Sequence, residues 1–162
     1  SNGFDVVLTR SSDRWLSLSE RNRIAQRRRA DVFISIHANA AATQSVAGIE
    51  TFALNPKGAP STYSNKVNQT VEPGNAFDKE NMRLAYEVQK YSLQLTKAGD
   101  RGVKHANFQV LRESSCPAVL VEVGFLTNHA EELRLSSASY QSKVAAGVVR
   151  GVLAYRQAVE GR

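Results

Sequence analysis

The stretch Asp31-Val32-Phe33-Ile34-Ser35-Ile36-His37-Ala38-Asn39-Ala40 is an apolar run that closes on a histidine and then on small residues. A second stretch of the same kind, Ala118-Val119-Leu120-Val121-Glu122-Val123-Gly124-Phe125, carries a glutamate near its end. Each run is long enough for a strand and too short for a helix. Such continuous apolar strands suit the centre of a parallel sheet covered on both faces. In open α/β sheets ligands bind beyond the carboxyl ends of the strands. If these two strands run parallel, His37 and Glu122 meet on one rim, a metal-ligand type beside a general-base type.

Outward from these runs, Phe4 to Thr9 (FDVVLT) reads as another strand. Ser17 with Glu20 three residues on has the pattern of a capping box, so a helix should run to about Arg29. Ile24 and Ala25, with Leu18 and Arg21, form its expected inner face, and Arg27, Arg28 and Arg29 complement the dipole at its end. Strand, helix and strand then make a βαβ unit with a right-handed crossover. Gly48 to Leu54 is a further strand with Glu50 inside it. Residues 55–77 carry Pro56, Gly58, Pro60, Pro73 and Gly74 among polar residues and read as a long surface excursion, of the kind that contacts a ligand or gates a cleft.

Asp78 is placed to cap a helix to about Lys97, with Leu84, Val88, Tyr91 and Leu95 as its stripe and Gly99 as its stop. Phe108 to Leu111 reads as a short strand, and Thr127 to Leu135 as a short helix. The last helix, from about Ser139 to Val159, places Tyr140, Val144, Val148, Val152, Tyr155 and Val159 on one face. Alternating helices and apolar strands indicate an α/β fold: a parallel-rich sheet flanked by helices on both faces, in a single layered domain.

The chain has 162 residues, the usual size of one domain, with 42% hydrophobic and 22% charged residues, which argues against disorder. No apolar run approaches the roughly 18 residues of a membrane span. The net charge of +6 favours an acidic partner: nucleic acid, an anionic membrane surface or an anionic wall polymer. The single cysteine, Cys116, has no intrachain partner and reads as a small packed hydrophobe. Of three histidines, His105 and His129 read as structural or solvated. Glu122 ends a run of apolar residues, so its carboxylate reaches a cleft or finds a partner, and burial would raise its pKa into the useful range for a base or acid. Glu50 joins that site or pairs with an arginine, with the structural role preferred. The arginine-rich helix 20–29 lacks interleaved aromatics and reads as a solvated face.

Four segments together resemble the zinc-dependent N-acetylmuramoyl-L-alanine amidases of bacterial division and sporulation: VVLTR with Asp13, LSLSERNRIAQ, ADVFISIHANA, and PAVLVEVGFLTN preceded by RGVKHANFQVLR. They occur in the family's order and span residues 3 to about 158. The resemblance implies that the chain, residues 1–162, is an amidase catalytic domain acting on peptidoglycan at the amide between N-acetylmuramic acid and the stem peptide's L-alanine. It implies His37 as a zinc ligand and Glu122 as the catalytic glutamate. It also implies a periplasmic or extracellular place of work and the possibility of an activator protein, with no nucleic acid partner and no membrane span. Zinc would polarise the carbonyl and lower the pKa of bound water, and Glu122 would carry the proton to the leaving amine.

The chain departs from the family at its start. The GHGG-like first-strand motif with its histidine, and the glutamate after it, have no counterpart here, so the domain reads as partial at its N-terminus, without the family's first strand and helix. With one of three protein donors left, His37 by itself should bind zinc weakly. Two rivals follow: a catalytically inactive peptidoglycan-binding module of the same fold, and, from charge alone, a basic nucleic-acid-binding α/β domain.

Overall fold

A computed structural model describes residues 3–161, apart from the side chain of Lys66. Four strands form the main sheet: β1 (Phe33–Asn39), β2 (Ile49–Ala53), β5 (Asp100–His105) and β6 (Ala118–Phe125). A small hairpin consists of β3 (Pro60–Ser61) and β4 (Ser64–Val67). The helices are α1 (Leu18–Arg27), α2 (Asp78–Thr96), α3 (Gln109–Arg112), α4 (His129–Leu135) and α5 (Ala138–Glu160), and a 3-10 turn at Pro73–Phe77 leads into α2.

The sheet order is β1-β6-β2-β5. β1 runs parallel to β6 and β2 parallel to β5, while β2 and β6 are antiparallel. The sheet is therefore parallel-rich with one antiparallel seam at its centre. β6 is buried at every position, Glu122 included, as a central strand covered on both faces must be. One face packs on α2 and α5 through Ile49, Val119, Val121, Leu84, Val88, Val148 and Val152. The other packs Phe33, Phe52, Leu54, Ala118 and Leu120 against Ala25, Val110, Leu111 and Cys116. Cys116 is thus a buried free thiol used as a hydrophobe.

α2 and α5 approach each other closely because α5 carries Gly147 and Gly151 one turn apart on the contact face. A Cβ at Gly151 would lie 2.6 Å from Val88 Cα, and one at Gly147 would lie 2.7 Å from Ser92 Cα. Both obstacles are backbone, so the helices must separate to admit a methyl group. Gly151→Ala is expected to cost at least about 2 kcal/mol, read as a lowered urea midpoint, because overpacking outweighs the better helix propensity of alanine. An unchanged midpoint would mean that the helices slide freely.

Several sequence expectations are corrected. Residues 4–9 form no strand; Val6 and Leu8 are exposed. A strand needs a pairing neighbour, and a cavity of about 640 Å³, lined by Phe4, Val7 and Thr9 and by Val32 and Ile34, separates the segment from the edge strand β1. The expected βαβ unit therefore does not form. Phe108 to Leu111 is not a strand but the start of a single helical turn, α3, which buries Val110 and Leu111. β5 forms without a strand pattern in its residues, since Asp-Arg-Gly-Val-Lys-His lacks apolar alternation.

The caps also differ. Ser17 does accept from Glu20 N at 3.2 Å, but the Glu20 carboxylate turns to Arg23 and Arg27 instead of closing a box. α1 buries only Asn22 and Ala25, leaving Leu18 exposed. Asp78 is not a cap, because the 3-10 turn feeds α2 directly. α2 ends with Lys97 in the left-handed region at φ +57°, two residues before Gly99.

Candidate active site

The carboxyl ends of β1 and β6 and the amino ends of β2 and β5 meet at one end of the sheet. His37 and Glu122 are register partners on the parallel pair β1–β6, so the sheet brings them side by side as the two runs implied. Glu50 is the register partner of Glu122 across the antiparallel seam. His37, Glu122 and Glu50 thus occupy one row across three strands.

The two glutamates have opposite surroundings. Glu50, 1% exposed, accepts from Arg101 Nε at 2.9 Å, Lys104 Nζ at 2.7 Å and Tyr63 Oη at 2.9 Å on Oε2, and from Asn39 Nδ2 at 3.2 Å on Oε1. It is a satisfied carboxylate with two cations. Glu122, 8% exposed, has its Oε2 buried with no hydrogen-bond partner among the described residues. Burial first, and then the negative charge of Glu50, push its carboxyl from the ordinary 4.5 up to about 7. A pair of acids with separated pKa values is the arrangement that assigns one to proton transfer and the other to support. The expectation that Glu50 pairs with an arginine is met, and the same pairing makes it a wall of the site.

This imposes a cost on the fold with a definite sign. Glu122 is raised in the folded state, so its contribution is fully present below pH 4.5 and is lost as pH rises through about 7. The difference between 4.5 and about 7 corresponds to about 3 kcal/mol. In metal-free protein, Glu122→Gln is expected to leave stability near pH 4 almost unchanged and to stabilise the fold progressively between pH 5 and 8, by up to ~3 kcal/mol. Thermal melts across that range check it; a stabilisation independent of pH would mean that packing, not charge, is responsible.

His37 Nε2 shares a 2.9 Å hydrogen bond with Ser35 Oγ, which leaves Nδ1 as the ring nitrogen open to a ligand. Burial, then the charge of Arg21, hold its pKa below the ordinary 6.5, so the imidazole is neutral at physiological pH, as a metal donor must be. Among the described residues, however, no group of three or more His, Cys, Asp or Glu side chains could hold a metal ion. A catalytic zinc ordinarily has three protein donors. His37 and the orphaned Glu122 oxygen are compatible with one corner of such a site, but these residues alone do not fit a complete zinc centre. His105 and His129 do not supply the rest: His105 Nδ1 contacts the Leu54 carbonyl at 3.2 Å, and His129 is an exposed partner of Glu132.

Sequence reading missed the residues that hold this row in place. Glu131, buried in α4, accepts from Gly48 N at 2.9 Å and Phe125 N at 2.8 Å, tying the end of β6 to the start of β2. The hairpin β3–β4 lies within the 55–77 excursion and brings Tyr63 to Glu50. No local sequence signal marks either residue: Glu131 sits in a short polar helix and Tyr63 is a single aromatic in the polar 55–77 tract.

Comparisons with known proteins identify the family and the fold. Residues 1–154 match the family described as N-acetylmuramoyl-L-alanine amidase. The chain is 31% identical to the N-acetylmuramoyl-L-alanine amidase AmiA of Escherichia coli, over 96% of this chain and 62% of that protein. It thus spans less than two thirds of that relative's length. The crystal structure of an N-acetylmuramoyl-L-alanine amidase from Clostridium difficile 630 superposes with a TM-score of 0.78 at 36% identity, covering 94% of this chain and 72% of that one. The CwlD amidase of Clostridioides difficile, solved in complex with the GerS lipoprotein, gives a TM-score of 0.77 at 26% identity, over 97% of this chain and 78% of that one.

Proposed function

The chain belongs to the N-acetylmuramoyl-L-alanine amidase family, and from that premise we propose that it is the catalytic domain of a peptidoglycan hydrolase. The reaction is hydrolysis of the amide between the lactyl group of N-acetylmuramic acid and L-alanine of the stem peptide. The observation that carries this reading is the unpartnered, buried Glu122 carboxyl held near pH 7 beside His37. Glu122 takes a proton from the attacking water and returns it to the leaving amine, which needs a carboxyl that changes state near working pH. Glu50 supports Glu122 through its charge and holds Asn39 at the end of β1.

Members of the family are generally metal-dependent, and zinc is the ion we assign to this one. His37 is the donor this chain offers, and a complete centre needs two more protein donors. The working place is the periplasm or the extracellular wall, in wall remodelling such as cell division, where a surplus of basic residues suits an anionic polymer. No helix of the described residues is long and apolar enough to cross a membrane. A relative solved with a lipoprotein supports a protein partner, such as an activator, for this domain too.

One rival has an observation in its favour: the lone histidine donor suits a module that binds the wall without cleaving it. Zinc content and release of stem peptides from purified muropeptides, measured on the complete protein and on this chain, decide between them. The amidase reading expects about one zinc per complete protein, far less on the 162-residue chain, and release of peptides with N-terminal alanine. Peptidoglycan binding by the complete protein with neither zinc nor release would overturn it.

A further inference from the structure

Beside the carboxylate row lies a feature that the reaction does not use. Tyr63, on the β3–β4 hairpin, is 62% exposed. Its ring nevertheless has a fixed place. The hydroxyl donates to Glu50 Oε2 at 2.9 Å and accepts from Arg101 Nη2 at 3.2 Å. Lys104 Nζ lies 4.2 Å from the ring centroid. The hairpin is itself pinned to β5, with Thr62 N donating to the His105 carbonyl at 2.8 Å and His105 N donating to Thr62 Oγ1 at 2.9 Å. Phe108, just before α3, is a second exposed aromatic. Both rings lean on the buried Phe52, at centroid separations of 6.2 Å for Tyr63 and 5.1 Å for Phe108. Phe52 sits two residues from Glu50 on the same face of β2.

We propose that Tyr63 and Phe108, mounted on Phe52, form a sugar-stacking subsite that receives a pyranose ring of the glycan strand next to the scissile amide. This deepens the amidase reading and rests on it for the identity of the glycan. A pyranose presents a flat C–H face to an aromatic ring and hydroxyl and amide groups around its rim. An immobilised, solvent-facing tyrosine loses little entropy on stacking, and its polar end is already satisfied. An acidic stem peptide is the poorer occupant, because the two cations here are spent on Glu50, while the Tyr63 ring keeps 62% of its residue surface exposed. Tyr63 is 62% exposed and Phe108 38% exposed, while the Phe52 ring between them is buried.

The test is binding of peptide-free glycan strands, alternating N-acetylglucosamine and N-acetylmuramic acid, to the chain and to its Tyr63→Phe, Tyr63→Ala and Phe108→Ala variants. Calorimetry gives the affinities, and thermal melts identify folded variants. The expected result is that Tyr63→Phe, which keeps the ring but loses the hydroxyl that anchors it, binds within about threefold of the unaltered chain, while each alanine variant binds about tenfold more weakly. Phe108 lies on a different element from the hairpin, so loss of hairpin order in Tyr63→Ala does not decide the outcome alone. A free stem peptide is the second probe and should bind all four proteins equally. Glycan affinity unchanged in both alanine variants, no glycan binding by the unaltered chain, or losses confined to the stem peptide would each overturn the proposal. The amidase reading fails separately: if the complete protein releases no stem peptide while glycan binding still depends on Tyr63 and Phe108, the subsite stands and the reaction assignment falls.

Discussion

Replacing Glu122 with glutamine in the complete enzyme is expected to lower kcat by about 10³-fold, within the range found when a positioned proton carrier is removed. Glutamine preserves the shape of the side chain and keeps the packing of β6, which is buried at every position. What it lacks is the ability to accept a proton from water and pass it on. The structure isolates this property: Oε2 has no hydrogen-bond partner among the described residues, so no structural bond is lost with the charge. KM should change little, because the substitution removes an interaction made mainly in the transition state. Metal content should be retained, since His37, not Glu122, is the assigned donor. Steady-state kinetics on muropeptides with metal analysis check all three. Turnover within a few-fold of the unaltered enzyme would remove Glu122 from the role of base. The same variant should be more stable at pH 8, so lost activity cannot be ascribed to unfolding.

Glu50→Gln should act in the opposite sense, on the fold. The carboxylate is 1% exposed and is shared by Arg101 and Lys104, whose own side chains are 28% and 11% exposed. Removing its charge strands two half-buried cations, and breaking a buried pair on one side typically costs about 3–5 kcal/mol. In a chain of this size that lowers Tm by roughly 10–15 °C. The hairpin should loosen as well, since Tyr63 loses its acceptor. A second substitution, Lys104→Met, should recover part of the loss by removing the stranded cation, so the double-mutant cycle gives a favourable coupling between the two sites. Thermal or urea unfolding measures it. A loss under about 1 kcal/mol would show that solvent screens the cluster as it does a surface pair.

The elements differ in how far they could be read from residues alone. β1 and β6 were legible as strands because a short apolar run is a local pattern, but only β6 is central and buried throughout; β1 lies at the sheet edge with Ile36 exposed. The core stripe of α5, Tyr140 to Tyr155, was legible because helical period is local too. Residues 4–9 have the composition of a strand and are not one, because pairing depends on a neighbour that composition does not report. β5 has almost no strand pattern and is one, because β2 offers it an edge and Val103 alone reaches the core. Phe108 to Leu111 is apolar enough for either state, and packing of Val110 and Leu111 beneath the sheet selected a helical turn.

By itself the sequence determined the two apolar strands, the α/β layering, and the placing of His37 and Glu122 in the carboxyl-terminal halves of those strands, since each follows from side-chain types within a few residues of one another. Resemblance to a family added the chemistry to those two residues. Only the tertiary structure decided the electrostatics of the site. Glu50 meets Asn39, Tyr63, Arg101 and Lys104 across up to 54 positions of sequence, and it meets Glu122 across a strand seam whose direction no local pattern encodes. The physical reason is that a carboxyl's state depends on what surrounds it in space. Two glutamates on neighbouring strands became one supported anion and one proton carrier only when the chain delivered cations to the first and apolar packing to the second.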